Sequence, residues 1–357
     1  MKILIIGCFD LVMHPYAQKY FDVLDRCHVD YNMIYWSRSG DVTHGEHLIP
    51  FKYPLNTYSC RAKKIKGYLA YRHFVLKQLK SGIYNRIIFL TTQAMVFFFP
   101  VALSRYDGHY IFDYRDETYE SNYLYRAIVQ RCIQHSYKVV ISSFGFLKLF
   151  DEKYREKFIL CHNTKENAIR EMLIKVPSDR VRLTFWGQIR LPEYFIRLIG
   201  ILGNDARFEL AFHGEGSLAP LQSYVKENQI NNVLFSGKFT QEDIPKFAAE
   251  TDILINCYPN DSYQKLALTV KMYEGIQLGI PMLIQKRSYM SEYLKKNRYP
   301  FLEVDFDNPV NSEQIKKYIL QFHAMELSAN TIEDVIQKDQ RVFKQKVTDF
   351  CNEAGKI

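Results

Sequence analysis

The chain has 357 residues, 47% of them hydrophobic, 24% charged and 15% aromatic. That is enough for two domains with cores of their own, and it excludes a small stapled module or a collagen-like, coiled-coil or disordered chain. The net charge of +8 is uneven: through Lys175 there are 25 Lys and Arg against 16 Asp and Glu, and beyond it 22 against 23. The surplus therefore belongs to the first half.

In chain order, Lys2 to Ile6 reads as a short apolar strand, the type found inside a parallel sheet covered on both faces. Met1 leads into it with no charged-then-apolar leader, and the seven cysteines are widely spaced and never in a C-x-x-C pair. A cytoplasmic protein with reduced thiols is expected. A loop with Gly7 and His14 follows, then a helix over Tyr16 to Cys27 and a strand around Asn32 to Trp36. Arg61 to Lys80 has seven basic residues (Arg61, Lys63, Lys64, Lys66, Arg72, Lys77 and Lys80) and no acid. Tyr68, Leu69, Phe74, Val75, Leu76 and Leu79 recur among them at helical spacing. This predicts a basic amphipathic helix, either one that meets an anionic membrane or phosphate backbone or a solvated helix packed on its own domain.

Ile87 to Leu103 carries no charge but contains Thr91, Thr92, Gln93 and Pro100, so it reads as a buried strand, a turn and a helix start and not as a membrane span. Strands are expected at Ile87 to Leu90, Tyr110 to Phe112, Lys138 to Ser142 and Lys157 to Cys161, separated by helices. A charged helical stretch follows Asn163, and the pattern restarts with strands at Val181 to Trp186, Phe208 to His213, Val233 to Ser236, Ile253 to Cys257 and Pro281 to Gln285. Helices between them are expected at Glu193 to Leu202, Leu218 to Asn228, Gln241 to Glu250 and Lys265 to Leu278. The fold class is α/β, two Rossmann-like domains facing a central cleft, over residues 1–175 and 176–330, with a closing amphipathic helix in 331–357.

The turn after the first strand, GCFDLV, has one glycine and lacks the G-x-G-x-x-G of a dinucleotide site; Walker A, H-E-x-x-H and G-x-S-x-G are also missing. The strongest local signal is VKMYEGIQLGIPMLI, Val270 to Ile284. Lys271 and Glu274 share one helix face, where a cation and a carboxylate can serve a phosphate and a sugar hydroxyl, or form an ordinary surface ion pair.

The pattern K-x-x-E-G-x-x-L-G-x-P after DILINCYP resembles the nucleotide-sugar signature of GT-B glycosyltransferases, in particular the retaining family-4-type enzymes of capsule and lipopolysaccharide assembly. FWGQIR, FHGEGS and NVLFSGKFT are similar to the donor-domain loops, and GCFDLVMHPYAQKY, IFDYRDE and KFILCHN to acceptor-side segments. Two positions depart from the family: its first glutamate is Leu266 here, and the Arg common after the donor-domain glycine is Gln188, leaving Arg190 as the nearby cation.

The resemblance implies transfer of a sugar from a nucleotide-diphosphate donor to a glycan or polyprenyl-diphosphate-linked acceptor, with retention of configuration. No metal or cofactor beyond the donor is expected, because no D-x-D-like pair stands where a metal would be needed. Donor-binding candidates are Gly187, Arg190, Gly214, Gly216, Gly237, Lys271 and Glu274, the glycines serving either a diphosphate or only turns of positive φ. Asp113 and Arg115 alternate along a strand end with Asp116 just beyond, so Asp116 is the favoured acceptor-side carboxylate, with a structural Asp/Arg pair as the other reading. His14 either touches substrate or packs its loop, and Asn163 lines the interdomain region or caps the next helix. On this reading Asp116 and Glu274 are the catalytic carboxylates, and the basic helix holds the first domain to an anionic membrane on its cytoplasmic face. Two rivals stand beside it, a GT-B sugar-nucleotide epimerase and a non-enzymatic nucleic-acid binder, the latter without a recognisable reader motif.

Overall fold

The computed structural model describes residues 1–56, 58–164, 174–260, 263–308, 311–323 and 332–352. The chain divides into two units, Met1–His162 together with Gln337–Ile357, and Asn163–Ile336. The division differs from limits at 175 and 330 because the chain returns to its first unit. The charged helical stretch expected after Asn163 falls mostly in 165–173, and the ends of the expected closing helix at Thr331 and Ala354 also lie outside the described residues.

The first unit is a sheet of seven parallel strands. These are β1 (Lys2–Gly7), β2 (Asp30–Ser37), β3 (Leu48–Lys52), β4 (Arg86–Leu90), β5 (Tyr110–Tyr114), β6 (Lys138–Ile141) and β7 (Phe158–Leu160). Their spatial order is β3-β2-β1-β4-β5-β6-β7. The chain moves outward from β1 to β3 and returns to the other side of β1 with β4, so the order reverses between β1 and β4. At such a reversal the connecting segments leave in opposite directions and open a crevice at the carboxyl ends of the strands. Ile3 to Ile6 are fully buried, as a central strand covered by helices on both faces requires.

Its helices are α1 (Ala17–Arg26), α2 (Arg61–Lys80), α3 (Thr92–Arg105) and α4 (Tyr123–His135). The uncharged run from Ile87 to Leu103 thus becomes β4 and α3, and among the described residues no helix is long and apolar enough to cross a membrane. The basic helix occupies Arg61–Lys80 as expected, but its faces are arranged differently. The buried positions are Gly67, Tyr71, Val75 and Leu79, a spacing of four residues, whereas Ile65 and Leu69 point outward among the cations. Gly67 is needed on the inner face because a Cβ there would come within 2.8 Å of the Tyr53 ring.

The second unit repeats the plan with β8 (Val181–Trp186), β9 (Phe208–His213), β10 (Val233–Gly237), β11 (Ile253–Asn256), β12 (Met282–Gln285) and β13 (Phe301–Val304), all parallel, in the order β10-β9-β8-β11-β12-β13. The reversal lies between β8 and β11. The helices are α5 (Glu193–Leu202), α6 (Leu218–Glu227), α7 (Ile244–Ala249), α8 (Val270–Gln277), α9 (Tyr289–Lys296) and α10 (Ser312–His323). The helix expected from Lys265 begins instead at Val270, because Thr269 in extended conformation caps it, its side chain accepting from the Met272 N–H.

Helix α11 (Ile332–Asn352) starts with Ile332 and Ile336 in the core of the second unit and continues with Phe343, Val347 and Phe350 in the core of the first. Its polar anchors in the first unit are buried at Gln340 and half-buried at Asp339. His162 Nε2 meets Asp339 at 3.0 Å, and the Gln340 amide donates to the His162 carbonyl at 3.1 Å.

Candidate functional site

In the second unit the chemistry-bearing side chains collect at the reversal between β8 and β11. Trp186 ends β8, and its indole N–H donates to Glu274 Oε2 at 2.8 Å. This fixes one carboxylate oxygen of α8 against the strand end and leaves the other with no hydrogen bond among the described residues. Lys271, one turn earlier on the same face, forms no ion pair with Glu274, so the ordinary surface pair is not what the helix carries. Its ammonium lies 4.4 Å from the Phe185 ring centroid and 5.5 Å from that of Tyr258, and makes no hydrogen bond within the described residues.

Burial pushes the Lys271 pKa down to about 8; the Glu274 carboxylate opposes this shift and the Arg190 charge adds to it. Arg190 is exposed, with Nε and Nη2 donating to Gln188 Oε1 at 3.0 and 2.8 Å. Two cations therefore stand near one carboxylate at the mouth of the crevice. That is an excess of positive charge where an anion would be received.

The glycines of this edge serve the backbone first. Gly187 has φ +128°, and a Cβ on it would meet Lys271 Nζ at 3.1 Å. Gly214 has φ +142°, and a Cβ there would stand 1.8 Å from the Gly187 carbonyl oxygen. Gly187 N–H donates to the His213 carbonyl and Gly214 N–H to the Gly237 carbonyl, so successive strand ends are laced together. Ile189 and Gly216 bridge in the same way. Close approach here is to a neighbouring chain segment at Gly214 and Gly216 and to the Lys271 ammonium at Gly187.

The first unit treats its charged candidates differently. Asp113, expected just past a strand ending at Phe112, lies inside β5 and is fully buried, and Arg115 is 5% exposed. Arg115 donates through Nε and Nη2 to the Asp113 carboxylate and through Nη1 to the Cys161 carbonyl at 2.9 Å, while the Tyr20 hydroxyl donates to Asp113 Oδ2 at 2.6 Å. The pair is a closed structural ion pair, and its expected acceptor-side role is corrected on that ground. Asp116 stays on the surface just beyond it.

His14 is 2% exposed; its Nδ1 meets the Tyr16 hydroxyl at 3.1 Å and its Nε2 has no partner. Burial pushes its pKa down to about 4, helped by the Arg38 charge, so the ring is neutral at pH 7. A Cβ at residue 7 would come within 2.7 Å of Nε2, so Gly7 leaves the room the imidazole occupies. Asn163 opens the second unit, and the helix it would cap falls in residues outside the description.

A pocket of about 540 Å³ lies away from both reversals, lined by Ile196, Arg197, Gly200, Ile201, Tyr224, Asp307 and Asn308. Its charged groups are engaged, Arg197 with the Phe306 carbonyl and Asp307 with the Tyr194 hydroxyl. The strand-end site is the better candidate because Lys271 has no hydrogen-bond or ion-pair partner among the described residues. Among the described residues no group of three or more His, Cys, Asp or Glu is arranged to hold a metal ion.

No model of a known protein family matches the chain, and no curated protein matches it. Solved structures do. The lipopolysaccharide outer core galactosyltransferase WaaB in its apo form is 13% identical, with 99% of each chain covered and a TM-score of 0.64. Sucrose-phosphate synthase from Thermosynechococcus elongatus is 12% identical over 98% of this chain and 94% of its own, with a TM-score of 0.66. WaaG, a glycosyltransferase involved in lipopolysaccharide biosynthesis, is 12% identical over 98% and 95%, with a TM-score of 0.58. The fold is GT-B.

Trp186 and Thr91 of this GT-B chain are among the residues that the sequence reading does not single out. Trp186 is one of only two tryptophans and directly precedes the glycine of FWGQIR, a position that could have marked it. Thr91 sits at the end of β4 with φ +83°, a conformation costly for a β-branched residue, while its side chain accepts from the Ala94 N–H to cap α3. Nothing in TTQAM announces that strain.

Proposed function

We propose that the protein is a glycosyltransferase whose second unit binds a nucleoside-diphosphate sugar and whose first unit binds the acceptor. The observation that carries this is Lys271, a half-buried ammonium without a hydrogen bond among the described residues at the carboxyl edge of the sheet, beside Arg190 and below Gly187. Burying a cation in this way is unfavourable unless something anionic meets it. A diphosphate does so, and as the glycosidic bond breaks the same two cations stabilise the charge that accumulates on the leaving group. Glu274, held by Trp186, keeps one oxygen for a sugar hydroxyl. Asp116 orients the acceptor hydroxyl. The presence of sugar-transferring enzymes of lipopolysaccharide and sucrose-phosphate synthesis among the structures of this fold supports the reading.

Protein cations carry the charge stabilisation in this scheme, so turnover persists in excess EDTA. The transfer retains anomeric configuration, which proton NMR of the first-formed product reads directly. The acceptor is a glycan or polyprenyl-diphosphate-linked glycan of a capsule or lipopolysaccharide, met on the cytoplasmic face of the membrane. Helix α2 supports peripheral attachment, because Ile65 and Leu69 are 53% and 62% exposed among Arg61, Lys63, Lys66, Lys77 and Lys80.

The deciding experiment is a thermal-shift and calorimetric panel of UDP, GDP, CMP and their sugars against wild type, Lys271→Met and Glu274→Ala. One nucleotide class should stabilise the wild type, and Lys271→Met should abolish the response while the protein remains folded. An undiminished response in Lys271→Met would remove the diphosphate from this site.

A further inference from the structure

Asp113 and Arg115 neutralise each other, but another cation at the carboxyl edge of the first sheet has no such partner. Arg38 directly follows β2 and is half-buried. Its guanidinium carbon lies 4.4 Å from the ring centroid of Phe9, 4.4 Å from that of Trp36 and 5.3 Å from that of Tyr68. Nη2 donates to the Tyr68 hydroxyl at 3.2 Å, and Nε is buried with no acceptor. Asp10, on the loop after β1, turns Oδ1 to the backbone N–H groups of Arg38 and Ser39 and to the Ser39 hydroxyl, and forms no ion pair with the guanidinium.

The other neighbours add no counter-charge. His14 is buried with its Nε2 unpartnered, and the Tyr71 hydroxyl is spent on the Gly7 carbonyl at 2.6 Å. Aromatic faces attract a cation but, the Tyr68 hydroxyl apart, offer its five N–H donors nothing to bond. A buried N–H left without an acceptor is unfavourable. The arrangement holds a planar fork on three rings and leaves it without an ion-pair partner, which is what recognition of an oxyanion needs.

We infer that Arg38 forms a subsite for an oxyanion carried by the acceptor, a phosphate ester or a sugar carboxylate, at the carboxyl end of β2. The assignment rests on the acceptor-side reading of the first unit given above, and it narrows the acceptor from any glycan to an anionic one.

The test is calorimetric titration of the whole protein with glucose 6-phosphate, glucuronate, inorganic phosphate and neutral glucose, alongside the nucleotide panel. At least one of the two sugar acids should bind, with glucose silent, and Arg38→Gln should weaken that binding at least tenfold while nucleotide binding is unchanged. Should Arg38→Gln melt early, Arg38→Lys keeps the charge without the planar fork and should weaken the sugar acid by a smaller factor. Equal binding by the wild type and both variants, or no sugar-acid binding by a wild type that binds nucleotide, overturns the subsite. Inorganic phosphate binding as tightly as either sugar acid would mark a free-phosphate site and overturn the acceptor assignment. Arg38-dependent binding in a protein that binds no nucleotide would leave the oxyanion subsite standing and sink the glycosyltransferase reading.

Discussion

The two sheets reverse their strand order in the same way, between β1 and β4 and between β8 and β11, yet Arg115 at the edge of the first and Lys271 at the edge of the second are treated in opposite ways. In the first, Arg115 is held by Asp113, the Cys161 carbonyl and the ring of Tyr16, and the pair is sealed inside. In the second, Lys271 is half-buried and given only rings and a distant carboxylate. Shared topology thus provides two equivalent places, and the local counter-charge decides whether a cation there is closed into the structure or left without an ion-pair partner.

The largest test of this contrast is Asp113→Asn. It leaves Arg115 buried without its carboxylate, and the first unit should lose about 3–5 kcal/mol, read from the chemical denaturation midpoint. A loss below 1 kcal/mol would show that the pair is not closed. Lys271→Met should do the reverse: turnover falls by about a hundredfold or more, roughly the loss of one transition-state contact of about 3 kcal/mol, while the melting temperature holds or rises.

The pH dependence follows from the same lysine. Its folded pKa, about 8, is below the ordinary 10.5. Between these values the unfolded chain binds a proton that the folded chain does not, so stability rises with pH across about 8 to 10.5 and is lowest below 8. Lys271→Met should flatten that rise. Nucleotide affinity should run the other way and fall above pH 8, as the ammonium is lost, with Lys271→Arg extending it to higher pH.

A smaller effect is expected for Trp186→Phe, which removes the indole donor but keeps an aromatic ring. Freed from its hydrogen bond, Glu274 should cost about 1.5–3 kcal/mol in kcat/KM, and an unchanged kcat/KM would show that the carboxylate is placed by the helix alone. The weakest single contributions are on α2. Reversing Lys63, Lys66 and Lys77 to Glu should release the protein from vesicles containing anionic lipid, at about 1 kcal/mol per cation removed, without altering nucleotide binding. Retention on those vesicles would separate the basic surplus from any membrane.

Much of the fold was legible because its central strands are short, largely apolar runs, and Val181 to Trp186 and Phe208 to His213 coincide with β8 and β9. The strands that went unread are the edge strand β3 and the edge strand β13. LIPFK carries a proline and is only half-buried, and FLEV is four residues long, so neither shows the pattern of a covered strand. Helices α9 and α10 were also left unread. At the site, Lys271 and Glu274 were legible because helical spacing puts them on one face. Trp186 and Arg38 were not, since their importance comes from partners brought to them by the fold: Glu274 is 88 positions from Trp186, and Tyr68 is 30 from Arg38. The Asp113 and Arg115 alternation was seen, but sequence does not say whether a strand end is covered.

Helix α11 imposes an order on biosynthesis. The second unit is one contiguous stretch and has all its residues once Ile336 has left the ribosome. The first unit is begun earlier and completed later, because Tyr20 packs edge-on against Phe343 at 5.2 Å and Arg86 lies over Phe350 at 4.5 Å. Until that helix emerges, the nascent first sheet has an uncovered apolar face, including the neighbourhood of α1. Domains usually fold in the order in which they are translated; here the half made first must be kept from aggregating while the half made second folds.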